Sequence, residues 1–268
     1  MTTALTLLAL AWGLAAALQL GLWLVQQRTG NAGIVDVGWA GAFTLVVVAF
    51  VVASPRPAAA TWPVAAMVAA WSLRLTTYLV RRGAASGPEE GRYRDLRARW
   101  SKGAGGASRA FFVFFQAQAA LVALLSVAFV WPFVAAPVWP AAQLAGAAVW
   151  AVGLVGEAVS DAQLARFKRD PARRGQVCDV GLWGWSRHPN YFFEVMVWVG
   201  YALYAAAFPW GGLAALGPAV ILFSILRVTG LPATEAQALR SKGDLYRAYQ
   251  ARVSAFIPWP PRSSRPSR

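Results

Sequence analysis

The densest group of chemically able side chains is Ser186-Arg187-His188-Pro189-Asn190-Tyr191, with Glu194 one helical turn beyond Asn190. Pro189 suits the first turn of a helix. The start of that helix would present free N–H groups and a positive dipole end beside Arg187 and His188, an arrangement that holds phosphate. His188 also reads as a structural hydrogen-bonding residue, and Asn190 as a simple cap. Glu194 shares a face with Asn190 inside an apolar run, where a carboxylate costs about 2.5–3.5 kcal/mol on insertion scales.

Two further groups carry charge where lipid-facing sequence normally excludes it, and a third polar set lies in the C-terminal tail. Glu157 and Asp161 lie four residues apart and share one helix face. Two readings are open for them: pairing with Arg74 or a loop arginine, or hydrogen bonding to a polar cofactor in a wet cavity. Asp36 opens an apolar run in Gly33-Ile-Val-Asp-Val-Gly-Trp39, as a cap or as a reactive carboxyl. The C-terminal segment contributes Glu235, then Tyr246, Tyr249 and Arg252 at helical spacing. It reads either as an amphipathic helix on lipid headgroups or as a lid offering aromatic and basic contacts to a nucleotide.

The elements that position these groups are membrane spans. Of 268 residues, 58% are hydrophobic and only 13% charged, half the charge of a typical soluble domain. Apolar runs lie near 4–25, 36–53, 62–80, 111–135, 139–160, 190–208 and 210–228, and a span needs about 20 residues. The expected fold is therefore all-α, a single polytopic membrane domain of about seven helices. A cytoplasmic amphipathic tail is expected over 229–260 and a disordered end over 261–268. The first run is expected to be a retained span, since Met1 to Ala11 lacks the charged n-region of a signal peptide. Pro209-Trp210-Gly211-Gly212 marks a tight hairpin between the last two runs.

Lys and Arg concentrate in three segments: eight in 81–109, six in 161–189 and eight from Arg227 onward. With seven spans all three fall on one side, which places the C-terminus in the cytoplasm and the N-terminus outside. The net charge of +14 is thus read as orientation and contact with membrane lipid, with no nucleic acid as partner. One cysteine, Cys178, and one histidine exclude an intrachain disulfide and a His-rich metal site. Gly103-Ala-Gly-Gly-Ala-Ser108 lacks the Lys-Ser/Thr of a phosphate loop. Nothing in the sequence points to a particular oligomeric state.

Gly181-Leu-Trp-Gly-Trp-Ser-Arg-His-Pro-Asn-Tyr-Phe-Phe-Glu194 and the tail from Tyr246 to Pro258 resemble the steroid 5-alpha-reductase C-terminal family. The bacterial DUF1295 branch fits best, through Asp36-Val-Gly-Trp39, Trp71-Ser-Leu-Arg74 and Glu90-Gly-Arg-Tyr93. The resemblance implies a seven-helix bacterial inner-membrane reductase that passes hydride from NADPH to an electron-poor C=C bond of a lipophilic substrate. By the same resemblance Asp161, Asn190 and Glu194 match cofactor-contacting positions. Glu157 stands where the steroid enzymes have Asn. Lys168 falls where they carry an arginine, with Arg166 as the neighbouring alternative. Arg187, His188, Tyr191, Tyr246, Tyr249 and Arg252 complete the expected cofactor set. Asp36, with Tyr78, is the candidate for polarising or protonating the substrate oxygen; Trp71 stands near the family's ketone-polarising Tyr. The tail lacks the His-plus-Tyr pair of steroid enzymes. Two other readings compete. One is a methyltransferase similar to isoprenylcysteine carboxyl methyltransferase, which shares Arg-His-Pro-x-Tyr and uses S-adenosylmethionine. The other is a non-catalytic lipid-binding protein. Asp161, Asn190 and Glu194 together favour the reductase.

Overall fold

The computed structural model describes residues 1–89, 91–103, 105–228 and 230–262. Glu90 of the Glu90-to-Tyr93 motif, Ala104 of the glycine-rich loop and most of the expected disordered end lie outside the described residues. Among the described residues ten α-helices follow in order: α1 (Thr2–Thr29), α2 (Ile34–Ala53), α3 (Ala58–Arg81), α4 (Gly91–Trp100), α5 (Gly106–Ser126), α6 (Pro140–Arg169), α7 (Pro189–Ala205), α8 (Leu216–Phe223), α9 (Leu231–Lys242) and α10 (Asp244–Arg252). Short 3-10 turns join several of them, and a π-helical turn, Ser224–Val228, extends α8.

The protein is an all-α polytopic membrane protein. Among the described residues, six helical runs can cross a bilayer by length and composition: α1, α2, α3, α5, α6 and the run that begins at Gly211. Two expectations change. The span placed at 111–135 ends at Ser126, and Trp131–Phe133 is a separate 3-10 turn. The run near 190–208 yields only the 17 residues of α7. At 1.5 Å per residue this is about 26 Å, short of the ~30 Å hydrocarbon core.

The chain divides into two compact units. The first comprises Met1–Trp139 with Phe208–Leu213. In it α1 packs on α2 and α5, and α2 on α3. Its centre is aromatic: Phe43 meets Trp39 and Trp71 edge-on at 5.2 Å, and Phe50 meets Phe133 at 5.4 Å. Such edge-to-face pairs add to simple area burial. Ser72 ties α3 to α2, donating to the Ala40 carbonyl at 2.5 Å and sharing a 2.7 Å bond with Thr44.

The second unit comprises Pro140–Ala207 and the chain from Ala214 onward. Its scaffold is the α6–α7 pair. Glycines set the separation: a Cβ on Gly153 would lie 2.7 Å from the Val197 backbone nitrogen, and one on Gly200 2.5 Å from that of Trp150. With lipid as solvent there is no hydrophobic gain from helix association, so close backbone approach through small residues supplies the packing. The same face of α6 carries Glu157 and Asp161, both 5% exposed.

Candidate functional site

The expected site residues fall in both units, and each group is described in its own.

In the second unit, the α6–α7 pairing brings Asn190 and Asp161 together: Asn190 Nδ2 donates to Asp161 Oδ1 at 3.2 Å. The other end of the amide is fixed as well, since Asn190 Oδ1 accepts the Tyr191 backbone N–H at 3.1 Å. Glu157 lies one turn before Asp161 on the buried face, and Glu194 accepts from Trp198 Nε1 at 2.8 Å. One helix pair therefore holds three carboxylates and one amide. These are groups that accept from hydroxyls and amides. Arg166 and Lys168, near the end of α6, are exposed and make no ion pair among the described residues.

The loop between α6 and α7 folds back over the end of α6. Gln163 Oε1 accepts the Leu182 N–H at 2.9 Å, and Trp183 Nε1 donates to the Ser160 carbonyl at 2.9 Å. Gly181 (φ 59°) sits where a Cβ would strike the Gln163 amide at 2.6 Å, so glycine serves both the backbone turn and the contact. Cys178 is buried beside Phe167 and Trp183; burial pushes its thiol up and leaves it a poor nucleophile.

The tail closes on this loop. Ser186 and Ser254 form an isolated parallel bridge, with Arg187 N–H donating to the Ser254 carbonyl at 2.8 Å. Ser186 Oγ donates to the Phe256 carbonyl at 2.7 Å, and the Trp259 N–H to the Trp185 carbonyl at 2.9 Å. At the centre is Glu235 of α9. Its carboxylate receives Arg187 Nε at 2.7 Å and Gln250 Nε2 at 2.8 Å, and lies 3.3 Å from His188 Nε2. Arg187 Nη1 also donates to the Val253 and Gln250 carbonyls, at 2.7 and 3.1 Å. Tyr249 Oη donates to the Trp183 carbonyl at 2.5 Å. Burial pushes the Tyr249 phenol upward, and burial with the nearby Glu235 charge raises Tyr246 to about 12. Both stay neutral donors at physiological pH. His188 stacks on Tyr191 at 5.3 Å, and Arg252 pairs with Asp179 at 3.2 Å.

These contacts engage several of the groups expected to hold phosphate at the start of α7. The Arg187 fork is engaged by a carboxylate and two carbonyls of its own chain. The Tyr191 and Phe192 N–H groups bond to Asn190 Oδ1 and the His188 carbonyl, and Pro189 has no N–H. The tail folds back on its own chain, with Tyr246 and Tyr249 buried against Val253 and Val177. Sequence reasoning assigned no role to Glu235 or Gln250. They stand in a tail that also carries Gln237, Ser241 and Asp244, so no pattern marks them out.

In the first unit, Asp36 at the start of α2 is tied to α4. Arg92 pairs with one of its oxygens and Tyr93 Oη donates to the other at 2.8 Å. Beside it Glu89 accepts Arg97 Nη2 at 2.7 Å, Arg97 Nε at 3.1 Å and the Ala32 N–H at 2.9 Å. Asn31 Nδ2 donates to the Gly87 carbonyl at 2.9 Å. Both Asp36 oxygens thus accept bonds from α4, an arrangement that holds a loop down and disfavours the role of proton donor. Tyr78 is half-buried between two guanidiniums, with Arg74 and Arg82 each 5.9 Å from its ring centroid.

The chain matches, over residues 22–253, the family described as "Protein of unknown function (DUF1295)". It belongs to this family. It is also 33% identical over 99 residues to an uncharacterized protein of Schizosaccharomyces pombe, C594.04c. That stretch is 35% of this chain and 27% of the yeast protein, so the match spans about a quarter of the relative's length. No solved structure matches.

Proposed function

We propose that this DUF1295 protein is a membrane-embedded, NADPH-dependent reductase of a C=C bond in a lipid or sterol-like substrate. The observation that carries the reading is the Asn190–Asp161 bond at 3.2 Å, made between two helices and flanked by Glu157 and Glu194. It joins residues that the resemblance to steroid 5-alpha-reductases marks as cofactor-contacting. The donor set suits a nicotinamide dinucleotide in two respects. Carboxylates and an amide on one helix pair accept from ribose hydroxyls and a carboxamide. Arg166 and Lys168, without ion-pair partners among the described residues, are the cations on hand for phosphate. When bound, NADPH would supply the hydride.

The chain's own part is to hold, polarise and exclude water. Asp161 and Glu194 are each oriented by a hydrogen bond, to Asn190 and Trp198, so their accepting oxygens are set in advance. Within the first unit, taken by itself, Asp36 positions Arg92 and Tyr93. In this proposal Arg187, His188, Tyr246, Tyr249 and Arg252 act indirectly, by closing the tail over the loop that begins α7. The distribution of Lys and Arg supports a cytoplasmic C-terminus and an external N-terminus in a bacterial inner membrane, with the short α7 counted as a seventh crossing.

The test is ligand-induced stabilisation of the purified full chain in detergent, comparing NADPH, NADH and S-adenosylmethionine. At about 100 times its Kd a ligand adds ~2.7 kcal/mol to stability. NADPH is expected to raise Tm, and Asn190→Ala and Glu194→Ala to abolish the rise. Stabilisation by S-adenosylmethionine alone would replace the reading with the methyltransferase one.

A further inference from the structure

A hollow of about 560 Å³ opens in the first unit where α4 ends and α5 begins. Its upper edge is formed by Arg99, Trp100 and Arg109 with the Gly103, Gly105 and Gly106 backbone, and its lower part by Ala110, Val113, Phe114 and Ala117. The lower residues recur at helical spacing and make one apolar stripe on α5. The upper ones are cationic: Arg99 and Arg109 are exposed, and among the described residues neither takes part in an ion pair or a side-chain hydrogen bond. This sets them apart from Arg92 and Arg97 on α4, which are paired with Asp36 and Glu89.

The wall of the hollow is braced. Trp100 meets Phe111 edge-on at 5.0 Å and Phe114 at 5.9 Å, so the ring and the stripe below it are held together. Gly106 takes φ 65°, which turns the chain sharply into α5, and a Cβ on Gly105 would lie 2.9 Å from Arg109 Cδ. Glycine here lets the arginine stem lie across the start of the helix. The change from polar α4 to apolar α5 sets this hollow at the level of a membrane–water interface, where tryptophan also settles.

We propose that the hollow binds one anionic glycerophospholipid, its phosphate against Arg99 and Arg109 and an acyl chain along Val113, Phe114 and Ala117. Charge complementarity decides the occupant. An apolar furrow alone would accept any acyl chain, but two unpaired guanidiniums at its mouth favour a headgroup of net negative charge over a zwitterion. The site is independent of the proposed cofactor residues, which lie in the other unit.

The test uses the delipidated full chain in detergent, titrated with phosphatidylglycerol, phosphatidylcholine and inorganic phosphate, with bound lipid counted by native mass spectrometry. One phosphatidylglycerol is expected to bind in preference to phosphatidylcholine. Arg99→Gln with Arg109→Gln should weaken it by roughly tenfold or more, at about one kcal/mol for each cation near a membrane surface. Ala117→Trp, which fills the apolar half and keeps both charges, should weaken it as well. Arg94→Gln with Lys102→Gln, exposed cations of the same segment outside the hollow, should leave it unchanged. Equal binding of phosphatidylcholine, competition by millimolar phosphate, full retention in either hollow variant, or equal loss in the Arg94/Lys102 pair would each overturn the proposal.

Discussion

The two units each fasten a basic segment to the ends of their helices, and they do it with opposite polarity. In the first, the span side supplies a carboxylate, Asp36, and the docked helix α4 supplies the guanidinium. In the second, the residue before α7 supplies the guanidinium, Arg187, and the docked helix α9 supplies the carboxylate, Glu235. The load is also shared differently. The first unit uses two separate links: the Arg92–Asp36 pair, and the Arg97–Glu89 pair, which donates to the Gly30 carbonyl and accepts the Ala32 N–H. The second gathers α7, α9 and α10 on one side chain, because Arg187 reaches Glu235 and the Val253 and Gln250 carbonyls at once. A fork with five donors can do this; lysine, a point charge, cannot.

The largest expected effect follows from that concentration. Arg187→Ala leaves a partly buried carboxylate and two carbonyls without their donor, and is expected to cost about 2–4 kcal/mol. Denaturation in detergent measures it, and faster tryptic cleavage at Lys242 reports the freed tail. Arg187→Lys should recover only part of the loss.

Next, Arg97→Ala should cost about 1–2 kcal/mol, and Arg92→Ala, at a more exposed pair, under about 1 kcal/mol. Only the double variant should approach Arg187→Ala. If either single change equals Arg187→Ala, the contrast between shared and concentrated fastening is gone.

The tail tyrosines separate more finely. Tyr249→Phe removes a buried 2.5 Å bond to the Trp183 carbonyl and should cost about 1–2 kcal/mol. Tyr246→Phe loses only a 3.5 Å contact to Glu235 and should change stability by less than about 0.5 kcal/mol. Equal effects would mean that ring packing, not the hydroxyl bond, holds α10.

The smallest expected effect is a pH response of the first unit. Burial alone would raise the Glu89 carboxyl, but its bonds to Arg97 and the Ala32 N–H outweigh burial and hold it below 4.5, the ordinary value. A lowered folded-state value means that the stabilisation is fully present above the ordinary value. It is lost as pH falls through the lowered one. Hydrogen exchange of residues 30–36 should therefore quicken below about pH 4.5, and Glu89→Gln should remove that acid dependence.

Much of the fold was legible because bilayer thickness constrains sequence directly. A run of apolar residues near the required length announces a helix, as it does for α1, α2 and α6, and a proline announces the start of α7. Where the rule is loosest the reading slipped. The apolar stretch 111–135 contains a helix end that no Pro or Gly marks before Pro132. The candidate site was half legible. Glu157 and Asp161 share a face by spacing alone, and both turned up on the glycine-packed face of α6. Arg187 stands out in the sequence by its place just before α7, but spacing could not say what it binds.

The sequence by itself determined the helical class, the confinement of charge to three segments and the polar residues that the membrane-spanning helices would have to shelter. Those follow from hydropathy and period, which act over a few turns of chain. Only the tertiary structure decided that the anion at Arg187 is Glu235, 48 residues away, and that Asn190 meets Asp161, 29 residues away. Such pairings depend on how a tail folds back and how closely two glycine-faced helices approach. No local pattern of residues encodes either distance.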